Sequence, residues 1–121
     1  MFEQEGYDLI GTALEVYNEI GHGFLEAVYQ ECLEKELKKR NIPFKSQIQL
    51  EMKYKEEILE QKYRADLIVY EGIITEIKAT KILLPENQAQ LMNYMKITDL
   101  KVGYLINFGN IDKLEWKRII I

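Results

Sequence analysis

One cysteine, one histidine and no long apolar run set the first limits on what this sequence can build. Cys32 stands alone, with no CxxC pair. That excludes a disulfide framework, a cysteine zinc site and a cysteine-ligated iron–sulfur cluster within one chain. With His22 as the only histidine, no Ser/His/Asp nucleophile set can be assembled. A lone histidine between glycines is more often a surface or capping residue, and His22 is given no catalytic role. Neither GxGxxG nor GxxxxGK occurs, so no phosphate-cradling loop is present. No apolar stretch approaches the ~20 residues of a membrane span, and no signal-peptide pattern opens the chain, so a cytoplasmic protein without a membrane partner is expected. Basic charge is also scarce: 16 Lys and Arg against 20 Asp and Glu leave a net charge of −4. That counts against nucleic-acid binding, whose usual footprint is a basic face, but local clusters such as Lys78 with Lys81, or Lys96 with Lys101, keep it open.

What is present suits one compact domain over residues 1–121, large enough for a real core. At 47% hydrophobic and 30% charged, the composition is that of an ordinary soluble globular protein. Tyr7, Ile10, Leu14 and Tyr17 follow helical spacing from about Glu3 to Ile20. Gly21-His22-Gly23 interrupts that pattern. A second helix is expected from Phe24 to about Arg40, with Leu25, Tyr29, Leu33 and Leu37 as its apolar stripe. The period then changes to two: Ile48, Leu50, Met52 and Tyr54 alternate with polar residues. Strands are expected over Ile58–Val69 and Ile73–Ala79, a helix from Pro85 to about Ile97, a strand buried on both faces over Val102–Phe108, and a last strand over Leu114–Ile120. The order α-α-β-β-β-α-β-β predicts an α/β fold, a mixed central sheet flanked by helices.

Three charged residues lie inside the two apolar runs 65–69 and 73–78. Asp66, Glu76 and Lys78 form the pattern D-x9-E-x-K. A charge in such a setting needs a partner or a bound ion. If Tyr70-Glu71-Gly72 forms a three-residue loop with Gly72 left-handed, Val69 pairs with Ile73, and Asp66 falls opposite Glu76, with Lys78 on the same face. A two-residue loop would separate the carboxylates to opposite faces. Two carboxylates that close repel unless one is protonated or a cation lies between them. Hard ions such as Mg²⁺ or Mn²⁺ suit such oxygens, and a neighbouring lysine can steady charge on a phosphorane-like transition state. Glu26 is a second anomaly, on the helical stripe of Tyr29, Leu33 and Leu37. It is either ligated there, or lies at the edge and reaches water, or pairs with Arg40 or a lysine.

Five segments in order resemble one family. Gly23-Phe24-Leu25-Glu26-Ala27-Val28-Tyr29 carries the GxxExxY motif. Tyr63-Arg64-Ala65-Asp66-Leu67, Glu76-Ile77-Lys78, Ala89-Gln90-Leu91-Met92-Asn93-Tyr94 and Leu105-Ile106-Asn107-Phe108-Gly109 continue it. Together they resemble the GxxExxY proteins, a compact branch of the PD-(D/E)XK nuclease superfamily. The resemblance implies a restriction-endonuclease-like core and a Mg²⁺- or Mn²⁺-dependent nuclease acting on nucleic acid, with DNA the expected class. It implies that Asp66 and Glu76 bind metal, that the Ile77 carbonyl completes the site, and that Glu26 assists it. Lys78 would activate water or stabilise charge, with Gln90 and Tyr94 close by. The helical wheel instead puts Gln88, with Leu91, Met92 and Met95, on the core stripe, so Gln88 and Gln90 both remain candidates. Ala65 replaces the proline of the superfamily's name. A non-cleaving nucleic-acid-binding or protein-interaction module on the same fold is the alternative, and the blandest version pairs Asp66 and Glu76 with Arg64 and Lys78. A homodimer through Phe2, Tyr7 and Tyr17 would extend the small binding surface.

Overall fold

Eight elements follow one another in the order the periodicity predicts. The computed structural model describes Met1–Ile121. It contains α1 (Glu3–Ile20), α2 (Glu26–Lys39), β1 (Phe44–Tyr54), β2 (Glu57–Val69), β3 (Ile73–Lys78), α3 (Pro85–Thr98), β4 (Val102–Asn107) and β5 (Glu115–Ile120). The strands form one five-stranded sheet in the order β1-β2-β3-β4-β5. All neighbours are antiparallel except β3 and β4, which run parallel and are joined through α3. Parallel neighbours need such a crossover, because a tight turn can only reverse the chain.

Two apolar clusters cover the two faces of the sheet. On one face, Leu9, Ala13 and Val16 of α1 and Tyr29, Leu33 and Leu37 of α2 pack with Leu67, Ile73, Ile77, Tyr104 and Ile106. On the other, Leu91, Tyr94 and Met95 of α3 pack with Leu50, Ala65, Ile74 and Leu105. Because both faces are covered at the centre, β4 is buried along its whole length.

The faces of α1 and α3 differ from the simple wheels. Tyr7 is 78% exposed and Leu14 is also exposed, while Gly6, Leu9, Ile10, Ala13 and Val16 face the core. Small residues explain the rotation: a Cβ on Gly6 would lie 1.9 Å from the Tyr104 hydroxyl, so the helix approaches the sheet where it has least side chain. A wheel weighted by large apolar residues misses that. Phe2 packs over Gly72, and Tyr17 donates to the Asn110 carbonyl at 2.5 Å. Of the three aromatics expected at a dimer interface, two are thus used inside the chain. In α3 the buried residues are Leu91, Tyr94 and Met95, with Met92 exposed and Gln88 only half-buried. Leu25 is also exposed, because α2 begins at Glu26, two residues later than the expected Phe24.

The β2–β3 turn has the expected register by a different route. Val69 pairs with Ile73. The left-handed residues are Tyr70 (φ 54) and Glu71 (φ 62), while Gly72 is not among the positive-φ positions. Two positive φ values at the centre of the Val69–Gly72 turn match the right-handed strand twist. Gly72 is required instead by the Phe2 ring, which a Cβ would meet at 2.2 Å.

Candidate active site

The β2–β3 ladder stops at Leu67↔Thr75, one step before the two carboxylates. From there side chains replace backbone pairing. Glu76 Oε2 accepts the Asp66 amide at 2.8 Å, and Asp66 Oδ2 accepts the Ile77 amide at 2.7 Å. Strict alternation also breaks at Asp66. Ala65 packs in the α3 cluster and Leu67 in the α1/α2 cluster, although they lie two residues apart. On β1 the residue between the pairs Ser46↔Leu67 and Ile48↔Ala65 is Gln47, whose φ of 52 is left-handed. Both strands therefore swivel at this level. β2 leaves β3 and continues with β1 alone, opening a cleft at the carboxyl end of β3.

Glu76 is buried, with 3% of its surface exposed, and Asp66 is half-buried. Neither has a cationic partner. The four ion pairs of the molecule join Met1 to Glu3, Lys35 to Glu31, Arg40 to Glu36 and Lys101 to Asp99. The pairing with Arg64 and Lys78 that a purely structural ion cluster would make is absent, and Arg40 is engaged with Glu36 and not with Glu26. Lys78 donates instead to Gln90 Oε1 at 2.9 Å. Gln90, not Gln88, makes this contact. It arises because Gln90 precedes the buried Leu91 and leans toward β3.

The electrostatics follow from burial. Burial, reinforced by the Asp66 charge, raises the Glu76 carboxyl from 4.5 to about 8. Burial also raises Asp66, against the Ile77 amide and Lys78, which both lower it. Glu26, the first residue of α2, is exposed overall, yet desolvation raises its carboxyl; Lys78 opposes the shift and Asp66 adds to it. Glu26, Asp66 and Glu76 thus converge, and the charge of Lys78 acts on all three carboxyls. Tyr94 faces the same centre, its hydroxyl pushed up to about 12 by burial and then by Glu76.

The Gly23–Tyr29 segment places Glu26. Gly21 (φ 72) and Gly23 (φ 102) are left-handed, the conformation glycine adopts at little cost. Tyr29 is fully buried, donates to the Gly21 carbonyl at 2.5 Å and accepts the Phe24 amide at 3.3 Å. Its ring stacks on Phe108 with centroids 4.7 Å apart. The loop before α2 is thereby clamped to the end of β4. His22 is exposed.

The family model of the PD-(D/E)XK nuclease superfamily matches residues 3–119. The chain belongs to this superfamily. The crystal structure of SSO0001 superposes on it with a TM-score of 0.65 and 22% identity, covering 98% of this chain and 59% of that one. This chain therefore spans well under two thirds of that protein's length, and the likeness is one of fold. No curated protein sequence matches.

Two features of this superfamily member escaped sequence reasoning. Gln30 donates to the Asp66 carbonyl at 3.0 Å, tying α2 to β2 at the swivel. Its position four residues after Glu26, on the same helical face, was the available signal. Asn107 is fully buried; its Oδ1 accepts the Thr80 and Gly109 amides, and its Nδ2 donates to the Thr80 carbonyl and Glu115. Glu115 in turn accepts the Leu83 amide at 3.1 Å. Burial raises the Glu115 carboxyl, but the bonds from Asn107, Leu83 and Asn110 outweigh it and hold it below the usual range. This network fixes the loop that follows Lys78. An asparagine inside a strand pattern gives no local sign of it.

The residues fit a hard divalent cation by their chemistry, although they do not form a complete side-chain cage. No group of three or more His, Cys, Asp or Glu side chains is arranged as a ligand set. Asp66 Oδ1 and Glu76 Oε1 take no hydrogen bond, so each carboxylate keeps one oxygen for a ligand. Mg²⁺ commonly takes one or two carboxylates and fills its remaining positions with waters and substrate phosphates.

Proposed function

We propose that this chain is a divalent-metal-dependent nuclease, one domain over residues 1–121, that hydrolyses phosphodiester bonds of nucleic acid, with DNA as the expected class. One observation carries the reading. Asp66 and Glu76 are held together without a cation of the chain's own, and the nearest lysine is kept back by Gln90. A structural ion cluster would have used that lysine as its counter-charge. Membership of the PD-(D/E)XK nuclease superfamily supports the same conclusion, and within it the Gly23–Tyr29 motif favours the GxxExxY branch.

Asp66, Glu76 and the Ile77 carbonyl would hold Mg²⁺ or Mn²⁺. Such an ion supplies Lewis acidity toward the phosphodiester and lowers the pKa of a water. The chain's own residues do the remaining work. Lys78, oriented by Gln90, presents its ammonium to the negative charge that grows on the phosphoryl oxygens. Glu26, its carboxyl raised by burial, can accept a proton from water at the open side of the cleft. Gln30 and the two side-chain-to-amide bonds keep Asp66 and Glu76 in place, so little reorganisation is required. No helix of the molecule is long and apolar enough to cross a membrane.

The test mixes the protein with labelled single-stranded, double-stranded and branched DNA, and with RNA, in Mn²⁺, Mg²⁺ or EDTA, beside Glu76→Ala. Cleavage that needs metal and disappears in the variant is expected. No cleavage of any substrate, or equal cleavage by the variant, would overturn the reading and leave the non-cleaving module.

A further inference from the structure

A second concavity adjoins the cleft and shares a wall with it. A cavity of about 530 Å³ lies between the β1–β2 ribbon and α3, lined by Met52 and Tyr63 on one side and Gln90, Asn93, Tyr94 and Lys96 on the other. Gln90 is the residue that holds Lys78, so the cavity begins one side chain from the reactive centre. Its volume lies within the ~300–1,000 Å³ typical of small-molecule sites. A larger groove of about 920 Å³ beside β1 contains neither Gln90 nor any of the four charged groups of the cleft.

Tyr63 packs on Tyr94 yet keeps much of its surface open. It stands on the part of β2 that pairs only with β1, and it is 43% exposed. Tyr94 is buried beneath it, with ring centroids 5.4 Å apart and planes tilted by 51°. Tyr94 thus supports Tyr63 and leaves much of its ring open. Around this platform the charges cancel, since Glu86 and Lys96 both line the cavity. Gln90 and Asn93 contribute amides, which both donate and accept. The lining suits a flat, neutral heterocycle with a polar edge better than a phosphate, for which it holds a single cation, Lys96, offset by Glu86.

We propose that this cavity receives an unpaired nucleobase of the strand being cut, stacked on Tyr63 with its polar edge toward Gln90 and Asn93. The proposal rests on the nuclease reading and narrows its substrate to single-stranded or locally unpaired nucleic acid. A base inside a duplex has both faces covered by its neighbours and must leave the stack to reach such a pocket. Base–aromatic stacking contributes about 1–3 kcal/mol per base, which lessens what a chain of net charge −4 must draw from phosphate contacts. The ribbon swivel at Asp66 creates both features at once: it opens the cleft and carries Tyr63 over α3.

Binding and cleavage are measured separately. Anisotropy in EDTA follows labelled DNA and RNA oligonucleotides as single strands, blunt duplexes and strands with abasic positions. Single-turnover cleavage in Mn²⁺ is followed in parallel with Glu76→Ala. The wild type is expected to prefer the intact single strand of DNA, RNA or both. Tyr63→Ala should weaken that binding about tenfold, and Tyr63→Phe should retain it. Removing the bases should weaken wild-type binding similarly and abolish the difference between wild type and Tyr63→Ala. Ala89→Leu, which narrows the cavity from the exposed side of α3 and leaves Tyr63 in place, should also weaken binding. Melting curves confirm that each variant folds. Equal binding of duplex and single strand, equal binding of intact and abasic strands, or unchanged binding by both Tyr63→Ala and Ala89→Leu would overturn the base pocket even if metal-dependent cleavage persists. Tyr63-dependent binding with no cleavage of any substrate would keep the pocket and overturn the nuclease reading.

Discussion

Asp66 and Glu76 are joined through each other's strands: Glu76 accepts the amide of Asp66, and Asp66 accepts the amide of Ile77. Two side chains thereby take over the ladder at the step where β2 and β3 separate. The same bonds that end the sheet hold two acids in the cleft, so structure and chemistry are coupled here, and the coupling can be measured.

The first consequence is a pH dependence. The Glu76 carboxyl is raised from 4.5 to about 8, so the folded state holds its proton more tightly than the unfolded state does. Its contribution to stability is fully present below about 4.5 and is lost as pH rises through about 8. Asp66 and Glu26 are raised as well and act with the same sign, while Glu115, held low, acts oppositely at the acid end. Glu76→Gln should melt near the wild type at about pH 5 and exceed it at about pH 9 by on the order of 3 kcal/mol in metal-free buffer. Parallel stability curves for the two proteins would refute the shift.

Divalent cations should reverse that instability. A cation at Asp66 and Glu76 displaces the proton and stabilises only the folded state. Melting temperature should rise with Mn²⁺ or Mg²⁺, by about 2.7 kcal/mol equivalent at a hundredfold excess over Kd, and EDTA should abolish the rise. The gain should be larger above pH 8 than near pH 6 and absent in Glu76→Ala. A metal-independent melting curve would leave the acids as a purely structural feature.

Lys78 and Gln90 should differ in rank. Lys78→Ala should lower cleavage by about 100-fold or more, the scale for losing a preorganised charge at the transition state. Gln90→Ala, which frees Lys78 without removing it, should cost about tenfold. Gln88→Ala should cost nothing, because the Lys78 bond goes to Gln90. Single-turnover rates with circular dichroism as the folding control decide it, and a Gln88 effect equal to that of Gln90 would reverse the assignment.

Tyr29→Phe isolates the clamp on α2. The ring still stacks on Phe108, but the bonds to Gly21 and Phe24 are lost. Stability should fall by about 2 kcal/mol, the net value of two hydrogen bonds at about 1 kcal/mol each. Cleavage should fall further than stability explains, because Glu26 follows the freed loop. Unchanged activity at temperatures where the variant is folded would separate Glu26 from catalysis.

Asn107→Ala should also destabilise the protein. It leaves the Thr80 and Gly109 amides and the Thr80 carbonyl without partners at a fully buried position. An unsatisfied buried group costs about 1–3 kcal/mol; Thr80 is exposed and its groups can turn to water, so a loss of about 2 kcal/mol is expected in urea denaturation. A loss below about 1 kcal/mol would mean that water replaces the side chain.

Where local pattern decides structure, the sequence was readable. Period-two and helical spacings located all eight elements to within a few residues, and the loop length gave the Val69–Ile73 register that puts Asp66 beside Glu76. The readings that failed share a cause. Tyr7, Leu14 and Met92 looked buried because apolar size was taken for burial, whereas α1 approaches the sheet through Gly6 and Ala13. Gly72 looked like a left-handed hinge, and its reason is a ring arriving from the N-terminus.

By itself the sequence determined the set of acids and the lysine, their spacing on adjacent strands, and the layers that bury them, because these depend on residue type and short-range geometry. Tertiary structure alone decided that β2 swivels at Asp66, that Gln90 rather than Gln88 reaches Lys78, that Asn107 holds the loop after the site, and that Tyr63 overhangs α3. Each of these depends on contacts between segments distant in the chain, where packing chooses among conformations that the local sequence leaves equally open.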